Sequence, residues 1–396
     1  MGADTFPGFL YQVEATATEP AELHLASSDG CRSDLIANVP DFLDPAIHMT
    51  ADRSAGVIVW SEETVANSEI VLRRLDFTVD AAGVLSLGAP VTILPLMGEE
   101  AAPGDSLGYG PFDIWGDATH SSLYITVKRT RSFNSGPNAG GGSREVLLYD
   151  LNDLTGNLAG PAPDERLIFN LTKIPGAANL YGDWLDADPN SLQDCPTIGH
   201  PQFVPTCYLP EEMSLNPSGT RLYFKRNIRD RNDVVWSGVQ RINIDRTGGP
   251  NLADWVITGP ELVYTGGGPA GMLARPDSDV SILPSPEYIA VIQGGGSALN
   301  AFTSIMDADR CAADFAPYAD GMSEAPVDLS QTCLDNSLFF TGTLPGEGDS
   351  WQSPEALIKS SFQDPEYDLH RVYVSGALAG TEQLLIETAR FGDSGL

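Results

Sequence analysis

The chain reads as an all-β protein, and more narrowly as one six-bladed β-propeller spanning residues 1–396. Two observations lead there: a short unit that recurs along the chain, and the lack of any sustained helical period. In the unit a small polar residue opens a tight turn and an apolar strand follows at once. Copies read Asp52-Arg53-Ser54-Ala55-Gly56 before Val57-Ile58-Val59-Trp60, and Asn216-Pro217-Ser218-Gly219 before Leu222-Tyr223-Phe224. Two shorter ones read Ser285-Pro286-Glu287 before Tyr288-Ile289-Ala290-Val291, and Ser353-Pro354-Glu355 before Ala356-Leu357-Ile358. A looser copy runs from Asp117 through His120 to Leu123-Tyr124-Ile125-Thr126-Val127. Turn-plus-strand units at wide, regular spacing are a signature of propellers.

Each unit has the same internal order. A first strand leads into the turn, the apolar second strand follows, and a third comes after a polar loop (70–75, 146–150, 239–244, 371–374). Fourth strands fall at 91–94, 167–169, 262–265 and 384–386. These are short β-branched and aromatic runs between Gly, Pro, Asn and Asp clusters, as four-stranded antiparallel blades require. The N-terminus holds a partial unit (9–13, 22–26 with a Ser28-Asp29-Gly30 turn, and 34–36) that lacks a first strand. The tail at 389–392 is placed to supply it, closing one blade with both termini and removing free sheet edges. Five complete units and one shared unit make six.

Glu22-Leu23-His24-Leu25-Ala26-Ser27-Ser28-Asp29-Gly30, followed by Ile36-Ala37-Asn38-Val39-Pro40, resembles the third-to-fourth-strand hairpin of TolB-type propeller repeats. Asn216-Pro217-Ser218-Gly219-Thr220-Arg221-Leu222-Tyr223-Phe224 is similar to their Ser-Pro-Asp-Gly turn and second strand. The resemblance is repeat-level and spans most of the chain. It implies a propeller of a superfamily that includes periplasmic and secreted binding scaffolds and, more distantly, polysaccharide lyases of the oligogalacturonate type. No lyase motif is matched residue by residue, so no catalytic role carries over.

Composition narrows the partners. Against 54 Asp+Glu stand 22 Lys+Arg, a net charge of −32, and the only lysines are Lys128, Lys173, Lys225 and Lys359. Such a surface repels nucleic acid and anionic membrane. It suits a salty medium, calcium-rich loops or a cationic partner. Hydrophobic content of 42% is ordinary for a packed core. No run reaches the roughly 18 apolar residues of a membrane helix. The chain opens Met1-Gly2-Ala3 without a charged and then apolar leader, as expected of a mature sequence.

The five cysteines include no CxxC pair, which disfavours zinc ribbons and thioredoxin-like chemistry. Cys195 and Cys207 bracket part of a Pro-, Asp- and Asn-rich insert at about 171–210, and Cys311 and Cys333 bracket part of another at about 307–336. Two disulfides pinning lids on one face are expected, with Cys31 left over and an oxidising compartment, secreted or periplasmic, implied. The alternative is that all five are reduced, buried small hydrophobes. A Gly-rich stretch at 131–143 has no phosphate-loop pattern and reads as a hairpin loop.

Counting back four residues from each turn opener gives His48, Asp113, Glu212, Ser281 and Asp349. On this alignment they start the innermost strands and face one another across the central channel. Close carboxylates then require a cation or shifted pKa values. Ca²⁺ suits Asp113, Glu212 and Asp349; His48 as a further ligand favours another divalent metal. A solvated channel without metal is the competing reading. Trp115 and Trp351 follow two residues after ring positions, and Tyr181 and Trp184 lie in the first insert. Aromatics beside a polar funnel suit a glycan site, while Trp is equally a residue that packs between blades. The expected function is a monomeric binding or scaffold propeller for a protein or glycan on its loop-bearing face. The alternative is a metal-assisted polysaccharide lyase or hydrolase working in the funnel.

Overall fold

The computed structural model describes residues 5–13, 20–39, 42–64, 69–134, 139–156, 162–173, 184–186, 204–205, 211–229, 235–265, 272–281, 287–295, 302–319, 329–342, 355–359, 369–373, 382–386 and 391–393. The strands fall into consecutive units. Unit one holds β1 (Phe9–Val13), β2 (Ala21–Ala26) and β3 (Ser33–Val39). Unit two holds β4 (Phe42–Met49), β5 (Ala55–Thr64), β6 (Glu69–Val79), β7 (Leu85–Leu87) and β8 (Val91–Leu94). Unit three holds β9 (Ser106–Gly116), β10 (Leu123–Phe133), β11 (Gly141–Asp150), β12 (Glu165–Lys173) and β13 (Trp184–Asp186). Unit four holds β14 (Val204–Pro205), β15 (Glu211–Leu215), β16 (Arg221–Arg229), β17 (Val235–Asp245) and β18 (Val256–Thr265). Unit five runs β19 (Met272–Ser281), β20 (Tyr288–Gly295), β21 (Phe302–Asp307), α1 (Ala308–Ala319), α2 (Leu329–Ser337) and β22 (Leu338–Gly342). The last strands are β23 (Glu355–Lys359), β24 (Leu369–Tyr373), β25 (Glu382–Ile386) and β26 (Phe391–Asp393).

Within each unit the strands pair antiparallel and mostly in chain order; β7 and β8 both pair β6, and β14 and β15 both pair β16. Units two and three join into one sheet through a single parallel bridge, Ile70 to Gly108. The first sheet runs β26-β1-β2-β3, with Leu10 opposite Asp393 and Gln12 opposite Phe391.

Strand alternation explains how the units pack. In β10, Leu123, Ile125 and Val127 join Ala46, Val57, Val59 and Leu72 of unit two in one cluster. Tyr124, between them, joins Met213, Leu222 and Phe224 of unit four in another. Two further clusters combine units one and two, and units four and five. Among the described residues, the sheets of units two, three and four are thus packed against a neighbour on both faces. First strands also touch: β26 meets β4, β4 meets β9, β9 meets β15, and β15 meets β19. Antiparallel sheets stacked face to face about their first strands make a propeller-type fold.

The insert at 307–336 departs from the expectation that no helix occurs. It contains α1 and α2, tied by the Cys311–Cys333 disulfide with Cα atoms 5.2 Å apart. Ala308, Cys311, Ala312 and Phe315 lie at i, i+3, i+4 and i+7 and are all buried against Val239, Tyr264, Ile289 and Met306. Neither helix is long and apolar enough to cross a membrane. Of the insert at 171–210, only 171–173, 184–186 and 204–205 are among the described residues. Cys195 and Cys207 lie outside the described residues, and Cys31 is exposed. The ends of the Gly-rich stretch are paired strand of the β10–β11 hairpin, Arg131 opposite Ser143 and Phe133 opposite Gly141.

Candidate functional site

The turns between first and second strands carry one hydrogen-bond pattern. Thr50, Asp117 and Asn216 each accept at their carbonyl from the residue three on: Arg53, His120 and Gly219. The same three donate their N–H to the residue five on: Ala55, Ser122 and Arg221. The fourth residue is left-handed in each, with φ of 57°, 59° and 62°. Asx side chains set the turn locally: Asn216 Oδ1 accepts from Thr220 and Arg221 N–H at 2.8 and 2.9 Å, and Asp117 Oδ1 accepts from Ser121 N–H at 2.7 Å.

This pattern corrects the ring alignment. The first turn opens at Thr50, two residues before Asp52, so His48 is equivalent to Trp115 and not to Asp113. His48 and Asp113 also lie near the ends of β4 and β9, and Ser281 ends β19; none starts its strand. Glu212 is in β15 and Trp184 opens β13, but their side chains are outside the description, as are Asp349, Trp351 and Tyr181 altogether. Among the described residues no group of three His, Cys, Asp or Glu is placed to hold a metal ion.

What the described positions do is bridge neighbouring units. His48 (8% exposed) donates Nε2–H to the Asp117 carbonyl at 3.1 Å and packs on His120, ring centres 4.7 Å apart. Burial pushes its pKa down to about 4, against the smaller opposing effect of that hydrogen bond. A Cβ on Gly116 would come within 2.4 Å of the imidazole, so this glycine makes room for it. Asp113 (8% exposed) accepts from its own strand at Ile114 N–H, 2.8 Å, and across the seam from Leu215 N–H, 2.5 Å. Trp115 donates Nε1–H to the Pro217 carbonyl at 2.8 Å and lies against Gly219, where a Cβ would come within 2.4 Å of the ring. The Tyr124 hydroxyl donates to the Gly219 carbonyl beside it.

Beside this seam, at the turn end of units three and four, lies a groove of about 640 Å³. Its lining comes from Ser122, from Thr220 and Arg221, from the β17 end through Asn243, Asp245, Arg246 and Thr247, and from Trp255. The Arg246 guanidinium sits 3.9 Å above the Trp115 ring and donates to the Ser218 carbonyl at 2.7 Å. Arg221 is held by Glu287 and, at 2.8 Å, by Asp309 of α1, which also binds Arg241 at 2.7 Å. Trp255 is buried and donates to the Gly249 carbonyl at 3.1 Å, giving the groove an aromatic wall. Asp245 accepts from Thr247 N–H at 2.9 Å, which holds its carboxyl below the usual range. The arrangement presents hydroxyl, amide, guanidinium and carboxylate groups around a cleft. None of these lining residues was a candidate site residue in sequence; Thr220, Arg221 and Asn243 figure there only as parts of a repeat turn and a strand.

The sequence matches no protein-family model, and no curated protein is significantly similar. Solved structures with a similar course include the periplasmic gluconolactonase of Pseudomonas aeruginosa: 10% identity, TM-score 0.41, covering 97% of this chain and 98% of that one. A Hadza microbial sialidase shows 10% identity and TM-score 0.41, covering 95% and 68%. The Dos1 propeller shows 9% identity and TM-score 0.32, covering 92% and 67%. The architecture described above rests on strand pairing and inter-unit packing, not on these likenesses.

Proposed function

We propose that the protein is a six-bladed propeller, closed through a blade shared by both ends of the chain, that binds a carbohydrate in the groove between units three and four without acting on it. The observation that carries this reading is the groove itself. Its volume falls in the range of small-molecule sites, about 300–1,000 Å³, and its lining mixes hydrogen-bonding groups with one indole wall. Sugars offer hydroxyls to the former and an apolar ring face to the latter. The pairing of β26 with β1, and the contacts of β26 with β4 and β23, support closure and the count of blades. Secretion or a periplasmic location is supported by the buried Cys311–Cys333 bridge, a bond that persists in oxidising compartments.

Binding is favoured over acid–base chemistry at the predicted ring because Asp113 and His48 are committed to hydrogen bonds across seams. The test is saturation-transfer NMR with a panel of oligosaccharides, comparing the wild-type protein with a Thr220→Val, Asn243→Leu double variant. Binding of one or more sugars, weakened at least tenfold in the variant and without turnover, is expected. A panel without a ligand, or one whose ligands bind the variant equally, would overturn the reading.

A further inference from the structure

Arg246 differs from the other arginines around it. Arg221 and Arg241 are ion-paired to carboxylates, and Arg166 is engaged by the carbonyls of Leu252, Ala253 and Trp255. Among the described residues Arg246 forms no ion pair, and the Ser218 carbonyl is its one hydrogen-bond acceptor. A guanidinium carries five N–H donors in a rigid plane. Here the guanidinium carbon sits 3.9 Å above the centre of the Trp115 ring, itself fixed through Nε1 to the Pro217 carbonyl, and one N–H is anchored on the Ser218 carbonyl. The result is a positioned cation lining a groove in a chain of net charge −32.

A stacked arginine whose position is held by protein but whose donors are largely unused matches an oxyanion with two oxygens side by side, which takes two parallel N–H groups at once. Around it, Thr220, Asn243 and Thr247 supply neutral hydrogen-bonding groups and Trp255 an apolar wall. Asp245 lines the same groove, but its Oδ1 is turned to Thr247 N–H of its own turn. Resting on the carbohydrate reading above, we infer that the groove selects an acidic sugar, its carboxylate or sulfate group held by Arg246 and its hydroxyls by Thr220, Asn243 and Thr247. The strong negative charge of the remaining surface acts against anions at a distance, but at about 0.15 M salt the screening length is only about 8 Å, so the groove decides.

The experiment is calorimetric titration at pH 7 and about 0.15 M salt with galactose, galacturonate and sulfated-galactose oligosaccharides of equal length, and with a glutamate-rich peptide. Proteins compared are wild type, Arg246→Gln, Arg246→Lys and Asn243→Asp, each checked for an unchanged unfolding midpoint. Expected is at least a tenfold preference for one of the acidic sugars over the neutral one, abolished by Arg246→Gln and only partly retained by Arg246→Lys, whose ammonium lacks the planar fork. Asn243→Asp, which adds a carboxylate without changing shape, weakens the acidic sugar by a similar factor and serves should Arg246→Gln not fold. Equal binding of neutral and acidic sugars, or an acidic preference that survives Arg246→Gln, overturns this inference and leaves the carbohydrate groove standing. A glutamate-rich peptide binding as tightly as the acidic sugar overturns the sugar assignment. Failure of every oligosaccharide overturns the carbohydrate reading itself.

Discussion

The seam between units two and three and the seam between units three and four place different rings at one backbone position. His48 and Trp115 both stand two residues before a turn, both donate a ring N–H to a carbonyl of the next unit's turn, and both press on that turn's left-handed fourth residue. At the first seam the fourth residue is His120, which leaves two imidazoles in contact. At the second it is Gly219, which lets the indole settle and carry Arg246 on its ring. The strand register decides where the side chain reaches; the side chain decides whether the seam holds paired imidazoles or an indole that carries Arg246 beside the groove.

The largest effect is expected from the glycines that admit these rings. Gly219→Ala forces a Cβ onto Trp115 in a backbone with φ of 62°. Left-handed strain and overpacking together amount to about 3–4 kcal/mol, read as a drop in urea-unfolding free energy. Gly116→Ala meets His48 and Leu123 without the left-handed backbone, so about 1–3 kcal/mol is expected. A larger loss at Gly116 than at Gly219 would break the equivalence of the seams.

Proton sensitivity comes next. The His48 pKa lies near 4 in the folded state against about 6.5 unfolded, so the fold holds the neutral ring. Its contribution is complete above pH 6.5 and is lost as pH falls from 6.5 toward 4, in all about 3 kcal/mol. His120 shifts the same way, with burial lowering it against Asp117 and Asp76. His48→Gln should lower stability at pH 7 yet flatten this slope; an unchanged slope would move the proton sensitivity elsewhere. The smallest effect belongs to Asp113. Asp113→Ala leaves the buried Leu215 N–H without its acceptor, about 2 kcal/mol, and Asp113→Asn about half of that. The seam role requires the same losses with Ca²⁺ and with chelator, whereas a ligand role would make them depend on the cation.

These seams also show what could be read from the sequence. Asn216 and Asp117 announce their turns because their side chains bond to backbone within five residues, a local event that composition reveals. Thr50 and Asp52 are both small polar residues of the link between β4 and β5, two apart, and only the carbonyl-to-N–H pattern shows that Thr50 opens the turn. That two-residue slip placed His48 with Asp113. The helical spacing of Ala308, Cys311, Ala312 and Phe315 was visible, but only over a dozen residues beside a strand and amid polar neighbours. The groove was beyond reach for another reason. Ser122, Arg221, Asn243 and Trp255 are brought together by strand register and by packing between sheets, which no local pattern encodes.

The pairing of Leu10 with Asp393 joins positions about 380 residues apart. As the chain leaves the ribosome, β1, β2 and β3 emerge early, while the strand that completes their sheet follows every other described strand. Until then the outer edge of β1 offers bare N–H and carbonyl groups, beside the apolar Leu10 and Tyr11, to any strand that passes. Joining ends so distant costs about 5 kcal/mol of chain entropy, which local hairpins within each unit do not incur. The hairpins are therefore expected to form first and the last strand to dock late, making this pair the step most exposed to a delay in synthesis or to a neighbouring copy of the chain.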